Sequence, residues 1–404
     1  MPQVLPLGLR GRQPGRIRPE LGPIRNALAR LGDPQSAQPS ILIVGTNGKG
    51  STAAMLESVL EANGVATGLT TSPHLVSVEE RIRIGGEAID GARLEGYLTR
   101  LASDDDLTYF ETITSAAFLA FAEAGVQVAI VEAGMGGSWD ATRVAGSAIA
   151  GITNVGSDHA AWLGESVVER ARDKGAPLRA ATVAVIGPGL APELVPALGA
   201  PRAVPASELV ELALLDDGDV RVAWGEATLE VPVPLLGAHQ IDNLHLALAL
   251  ARSAQNAGLI PRLEPDSVAR GLAAVCWPGR LSLVSIHGRK ILVDVAHNLE
   301  GAMALAAHLS HRGERRNLLF SCLDDKQVEA MAQALVPVVD AIAVCRLDDE
   351  RAMSLDRIAA AFPGAIRASD PLAALRELAD PVVAAGSFRL VGALVEAAEG
   401  GVGS

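Results

Sequence analysis

One stretch, VGTNGKGST at 44–52, restricts what this chain can fold into more than any other. It lies between an apolar run, ILIV at 41–44, and a segment 49–63 whose Ala53, Met55, Leu56, Val59 and Leu60 recur at helical spacing and stop at Gly64. A strand, a tight glycine turn and a helix in direct succession predict a loop whose N–H groups point inward at an anion, with the helix N-terminus adding positive potential. Lys49 brings a point charge, and Ser51 or Thr52 can offer a hydroxyl to Mg²⁺. Together these parts describe a site for an ATP triphosphate. The strict spelling G-x-x-x-x-G-K-[ST] is not met, because Ile43 occupies the first glycine position and Gly50 follows the lysine. The lysine count supports the reading: Lys49, Lys174, Lys290 and Lys326 are the only lysines among 34 basic residues. A chain that otherwise uses arginine keeps lysine where an amine is needed.

The rest of the chain repeats the alternation of short apolar runs and helical stretches that predicts a parallel sheet covered by helices. QVAIVEA (127–133) and AIAGIT (148–153) predict further buried strands, and 208–235 predicts a small antiparallel insertion turning at Asp216, Asp217, Gly218 and Asp219. A second α/β unit is expected from KILVDVAHN (290–298), NLLFSCL (317–323), AIAVCRL (341–347) and PVVAAGS (381–387), with the boundary between Ser282 and Arg289.

With 404 residues, 49% hydrophobic, 3% aromatic and 20% charged, the composition is that of a soluble globular protein with aliphatic cores. The net charge of −13 argues against nucleic acid as a partner. Cys276, Cys322 and Cys345 have neither disulfide-framework nor zinc-ligand spacing. No apolar run reaches the roughly 18 residues of a membrane helix, and MPQVLPLGLRGRQPGRIRPE lacks the apolar block of a signal peptide. That segment is expected to be an exposed arm, and a reducing cytoplasm the location.

The spelling GTNGKGS resembles the family of folylpolyglutamate synthases and dihydrofolate synthases, ATP-dependent ligases that add glutamate to a pterin carboxylate. Further motifs recur in the family's order: SPHLVSVEERIRI (72–84), LTYFET (107–112), IVEAGMGGSWDAT (130–142), SDHAAWLG (157–164), RDKGA (172–176), WPGRL (277–281) and LVDVAHN (292–298). The resemblance runs from about residue 25 to the C-terminal end. It implies a P-loop parallel-sheet ATPase domain of the Mur ligase type over 1–285, with the antiparallel insertion, and a smaller Rossmann-like α/β ligase domain over 286–404.

It also implies site residues. ATP would be bound by Asn47, Gly48, Lys49, Gly50, Ser51, Asn243, Arg280 and Asp294, with Gln240 grouped among them, and magnesium by Ser51, Ser72, Glu132, His159 and Lys174. By its residues alone, Glu132 is either a magnesium ligand at the edge of a parallel sheet or a strand-end acid facing solvent. The counterpart of Lys174 in the family is carbamylated, turning a cation into an anionic oxygen donor. Here the usual K-A-G-I context is K-G-A-P, with Gly175, Ala176 and Pro177. Lys49, Lys174 and His297 are the expected catalytic residues. A pterin pocket would be formed by Thr108, Tyr109, Phe110 and Glu111, which otherwise read as core packing, and by Trp139, Asp140 and Ala141. Relatives commonly have G-G-R-L-D there, so Ser138 and Trp139 replace an arginine and a leucine. Asp294 and His297, without the family, are equally a strand-end acid and a helix-cap neighbour.

The implied reaction is phosphoryl transfer from ATP to a pteroate or folate carboxylate, then attack by the glutamate amine. The partners are small molecules: ATP, L-glutamate and dihydropteroate or folate, with Mg²⁺ as cofactor, no nucleic acid, no membrane and a monomeric chain. Two alternatives are a Mur-type amino-acid ligase of peptidoglycan synthesis and a non-catalytic nucleotide-dependent binding protein. Mur ligases resemble G-K-T where this chain has Gly50, and only 44 residues precede the loop.

Overall fold

A computed structural model describes residues 9, 11–12, 15–104, 106–216, 218–313 and 315–400. They form two compact units. The first runs to Pro73 and includes Val78–Pro234 and Gln240–Cys276; the second comprises His74–Ser77, Leu235–His239 and the chain from Trp277 on.

The first unit is organised by β1 (Ser40–Val44), β2 (Thr67–Thr70), β3 (Ile82–Ile84), β4 (Glu87–Ala88), β5 (Val128–Glu132), β6 (Ile149–Ile152), β7 (Val183–Ile186) and β8 (Val204–Pro205). Among the described residues these make one eight-stranded sheet in the order β4-β3-β2-β5-β1-β6-β7-β8. From β2 to β8 every pairing is parallel, and β3 and β4 add an antiparallel edge. β1 and β5 are buried along their whole length, as strands covered by helices on both faces must be. That double burial explains their continuous apolar spelling. β9 (Leu212–Leu214), β10 (Asp219–Trp224) and β11 (Ala227–Pro232) form the expected antiparallel insertion in the order β11-β10-β9. Of its expected turn, Asp217 lies outside the described residues.

The second unit contains β12 (Ser282–Ile286), β13 (Arg289–Asp294), β14 (Arg316–Phe320), β15 (Val339–Cys345), β16 (Ile366–Ala368) and β17 (Val382–Ala385), in the order β12-β13-β17-β14-β15-β16. β12 runs antiparallel to β13 and the others are parallel. The expected boundary at 285/286 therefore falls inside the β12–β13 hairpin. The hairpin's ladder carries β12 into the C-terminal sheet, and the unit starts at Trp277 instead. Its core includes Cys322 and Cys345, whose thiols burial pushes up to about 12, so they act as apolar packing.

The N-terminal arm, expected to be exposed, is so at Gly11, Gly15, Arg16, Pro19 and Glu20, but it is pinned to the first unit at two points. Leu9 is fully buried in the core of the first unit, and Arg12 donates to backbone carbonyls of Leu101, Asp104 and Leu107. Among the described residues no helix is long and apolar enough to cross a membrane.

The helix Lys49–Ala62 buries an acid, Glu57, whose Oε2 accepts from Arg83 Nε at 2.9 Å. Burial raises its carboxyl from 4.5 to about 7, although Arg83 pulls the other way. Between these values the folded chain holds a proton that the unfolded chain has released. The contribution to stability is thus complete below about pH 4.5 and lost as pH rises through about 7. Urea titrations of the wild type and Glu57→Gln at pH 5 and pH 8 should show the wild type losing on the order of 2 kcal/mol relative to the variant across that interval. Parallel behaviour of the two proteins would refute the assignment.

Candidate active site

The loop after β1 is held from behind by the end of β6. Thr46 N donates to Asn154 O at 3.0 Å, Asn47 N to Asn154 Oδ1 at 2.9 Å, and Gly156 N to Thr46 Oγ1 at 2.8 Å. Thr153 Oγ1 and Asn154 Nδ2 both donate to Asn47 O. Thr153 and Asn154 were not singled out by sequence. Their signal was available, since polar residues just past a buried parallel strand face the crevice at the carboxyl edge of the sheet.

Gly48 opens the helix at φ +83°, and a Cβ there would collide with the Asn243 side-chain amide. Asn243, in the helix His239–Asn256, is held by donating to Gln240 Oε1 at 2.9 Å. The two residues grouped only by resemblance therefore touch each other, and one of them touches the loop.

Two amines meet on one carbonyl. Lys49 Nζ donates to Gly45 O at 3.3 Å and Thr46 O at 3.1 Å, and Lys174 Nζ donates to the same Gly45 O at 3.0 Å. Lys174 is only 1% exposed, at the end of the helix Val167–Lys174. Burial, with the Lys49 charge adding to it, lowers its ammonium to about 7. The K-G-A-P spelling has a structural reason: the helix stops at Lys174, Gly175 joins two helices, and Pro177 stands in the first turn of the next, Ala176–Ala180.

Glu132, at the end of β5, is buried, and its Oε2 accepts from Ser72 N at 3.0 Å. Ser51 Oγ and Thr52 Oγ1, in the first turn of the loop helix, are 1% and 0% exposed as residues and have no hydrogen-bond partner. Buried hydroxyls without partners are rare and costly, and oxygen donors suit a hard divalent ion, so Ser51 and Glu132 fit such a group. His159 stands at φ +61° with its Nε2 3.8 Å from Asp158 Oδ2. Among the described residues no three His, Cys, Asp or Glu side chains converge as a metal cluster. A metal here would draw on hydroxyls as well as on acids.

The segment after β5 is ordered by acids. Asp140 accepts from Met135 N at 2.7 Å and from Thr142 N at 3.0 Å, and burial raises its carboxyl despite these bonds. Asp173, next to Lys174, accepts from Gly137 N at 2.8 Å and Ser138 N at 3.3 Å. Trp139 is half-buried and Ala141 is buried. Of the other pterin candidates, Thr108 and Glu111 form a reciprocal capping box on the helix Tyr109–Ala124. Tyr109 is buried in the core with the Arg81 guanidinium 5.3 Å from its ring centroid. Only Phe110 of the four is half-buried. Three of the four thus serve the fold.

In the C-terminal unit, Arg280 and His297 meet the same ring: the Arg280 guanidinium lies 5.1 Å and the His297 ring 5.4 Å from the centroid of Phe388. Asp294 is occupied by the backbone, accepting from Leu281 N at 2.9 Å and Ala296 N at 2.8 Å. A nucleotide contact from it would have to use the lone pairs left over.

A parallel-sheet nucleotide loop followed by a separate α/β unit defines an ATP-dependent ligase of the Mur type. The Mur ligase middle domain matches residues 43–167, and the Mur ligase glutamate ligase domain matches residues 279–392. The dihydrofolate synthase/folylpolyglutamate synthase of Mycobacterium tuberculosis is 35% identical, over 94% of this chain and 88% of its own length. The probable bifunctional folylpolyglutamate synthase/dihydropteroate synthase of Haloferax volcanii is 32% identical over 86% of this chain, which spans 43% of that protein's length. Among solved structures, E. coli FolC in complex with DHPP and ADP superposes with a TM-score of 0.86 at 26% identity, covering 99% of both chains. A bifunctional folylpolyglutamate synthase/dihydrofolate synthase with Mn, AMPPNP and L-glutamate bound gives 0.82 at 28% identity, covering 95% of both. The chain belongs to the dihydrofolate synthase/folylpolyglutamate synthase family, ATP-dependent ligases of glutamate in folate metabolism that use a divalent metal.

Proposed function

We propose that this protein couples ATP cleavage to addition of L-glutamate onto the carboxylate of dihydropteroate, tetrahydrofolate or both, acting as a monomer in the cytoplasm. The observation that carries this is the meeting of Lys49 and Lys174 on the Gly45 carbonyl, with an unpartnered Ser51 hydroxyl in the first turn of the helix that follows. Lys49 and the amides at the helix N-terminus make a cradle for a polyanion, and the buried Lys174 amine on the same carbonyl is the group that a CO₂ adduct would turn into an anionic oxygen donor.

The γ-phosphorus of ATP forms a bond to the acceptor carboxylate oxygen while its bond to the bridging oxygen of ADP breaks. The glutamate amine then attacks the acyl carbon, loses a proton and displaces phosphate, leaving an amide. Lys49 and the amides of Gly48, Gly50 and Ser51 hold the β- and γ-phosphates as charge moves onto the leaving oxygen, and Asn47, whose own N–H is spent on Asn154 Oδ1, borders them. Asn243 fixes the loop at Gly48 and borders the nucleotide. Ser51, Ser72, Glu132, His159 and Lys174 would hold Mg²⁺, which when bound neutralises charge on the transferring phosphoryl group. An ammonium lowered to about 7 is partly the neutral amine that carbamylation by CO₂ requires. On this reading Lys174 becomes an anionic ligand, and intact-mass spectrometry should find an added CO₂ on it. Phe110, Trp139, Asp140 and Ala141 border the pterin, with Thr108, Tyr109 and Glu111 shaping the pocket from behind. Arg280 is assigned to phosphate, Asp294 to nucleotide and His297 to catalysis.

The test is ADP release with ATP, magnesium and glutamate, comparing dihydropteroate with tetrahydrofolate side by side. Release should require both glutamate and a pterin acceptor. Slow hydrolysis indifferent to either would mark a nucleotide switch and end the proposal.

A further inference from the structure

The arm before the first helix has a job that its arginine- and proline-rich spelling does not announce. Arg12 reaches across 89 to 95 positions of sequence to three carbonyls: Nη2 donates to Leu101 O at 3.3 Å and Asp104 O at 2.9 Å, and Nη1 donates to Leu107 O. Leu101, Asp104 and Leu107 are linked by successive turns, Asp104 N to Leu101 O at 3.1 Å and Leu107 N to Asp104 O at 3.0 Å. The guanidinium therefore closes one side of the connection between the helices Gly91–Arg100 and Tyr109–Ala124. Two neighbours reinforce it. Arg18 Nη1 donates to Asp106 O at 2.6 Å, and Arg30 forms an ion pair with Asp104. Leu9 anchors the arm in the same apolar cluster as Leu101, Leu107 and Tyr109.

Leu107 O belongs to the peptide that leads into Thr108, the cap of the helix that carries Phe110. The Phe110 ring packs so closely on Gly134 that a Cβ at Gly134 would stand 2.6 Å from Cζ. The chain of contacts thus runs from Arg12 through the capped helix start to Phe110, and from Phe110 to the segment just past Glu132. A planar fork with several fixed N–H groups can hold three carbonyls at once, whereas an ammonium on a flexible stem holds them one at a time.

We propose that Arg12 is a positioning residue for the acceptor pocket: by fixing the Leu101–Leu107 connection it sets where Phe110 meets the pterin. This rests on the acceptor assignment above, and the test separates the two. Steady-state kinetics of Arg12→Lys, Arg12→Ala and Phe110→Ala are measured with dihydropteroate, ATP and glutamate varied in turn. Both Arg12 variants should raise the KM for dihydropteroate about tenfold while the KM for ATP stays within about twofold, because a small displacement of a binding wall acts on the ligand it contacts. Equal increases in both KM values, or none, would overturn the proposal. If Phe110→Ala leaves the dihydropteroate KM unchanged, the acceptor assignment itself fails and this proposal goes with it. If Phe110→Ala raises it and the Arg12 variants do not, only the role of Arg12 fails. Deuterium exchange in Arg12→Lys gives a reading independent of turnover: amides of 106–111 should exchange faster than in the wild type, while those of the helix Lys49–Ala62 keep their rate. Unchanged exchange at 106–111 also overturns the proposal.

Discussion

Lys49→Ala should lower kcat by about 10²- to 10³-fold with either pterin acceptor, the loss expected when one preorganised donor to a developing charge is removed. Its ammonium touches the protein through the carbonyls of Gly45 and Thr46, at 3.3 and 3.1 Å. The Gly45 carbonyl keeps the Lys174 amine as a donor at 3.0 Å once the half-buried Lys49 side chain is shortened, so the fold should survive, with a melting temperature within a few degrees of the wild type. Lys49→Arg is a sharper control. It keeps the charge but replaces a compact point by a planar fork, and Lys49 is one of four lysines in a chain that uses arginine freely. Partial recovery with Arg would mean that charge alone accounts for part of the effect; full recovery would mean that the amine has no special fit. The measurement is single-turnover ADP formation at saturating acceptor. Activity within tenfold of the wild type for Lys49→Ala would remove the loop from the phosphoryl-transfer machinery.

What the sequence made legible follows from where side chains are buried twice. The strands β1, β5, β6 and β17 and the buried C-terminal stretches of β13, β14 and β15 are spelled as apolar runs because both of their faces are covered, and that spelling located them. The short strands β3, β4 and β16 at the margins of the sheets carry no such run, being two or three residues long and largely exposed or half-buried, and only the ladder reveals them. The domain boundary was misplaced for a related reason, since β12 is half-exposed and its allegiance is decided by pairing with β13. At the site, the loop residues were legible because a glycine turn between strand and helix has a local spelling. The braces were not: Asn154 behind the loop, Asp173 on Gly137 and Ser138, and Arg12 on the 101–107 connection all act across distances in sequence that no local pattern encodes. The capping box of Thr108 and Glu111 shows the reverse case. The T-x-x-E spelling is itself a helix-start signal, and the structure uses both residues for that purpose.

Glu132→Gln should be as damaging as the loss of the lysine, and its value lies in how little else it changes. The amide keeps an oxygen where Glu132 Oε2 accepts from Ser72 N at 3.0 Å, so the turn after β2 retains its hydrogen bond and the volume at a buried position is conserved. What disappears is one negative charge at the C-terminal end of β5, in register with Ile43 just before the loop. If that charge is the counter-ion for a divalent cation, kcat should fall about 10²- to 10³-fold, and the Mg²⁺ concentration for half-maximal rate should rise by at least about tenfold, because a neutral amide is a much poorer ligand for a hard cation. If Glu132 serves only the fold, the variant should retain its rate and its Mg²⁺ dependence, since the hydrogen bond to Ser72 is intact. Glu132→Ala would not discriminate so cleanly, because it leaves a buried N–H without an acceptor and adds a stability cost of roughly 1–3 kcal/mol to any catalytic one. Mg²⁺ titrations of the Gln variant, with thermal melts confirming an intact fold, therefore decide whether this acid is chemical or structural.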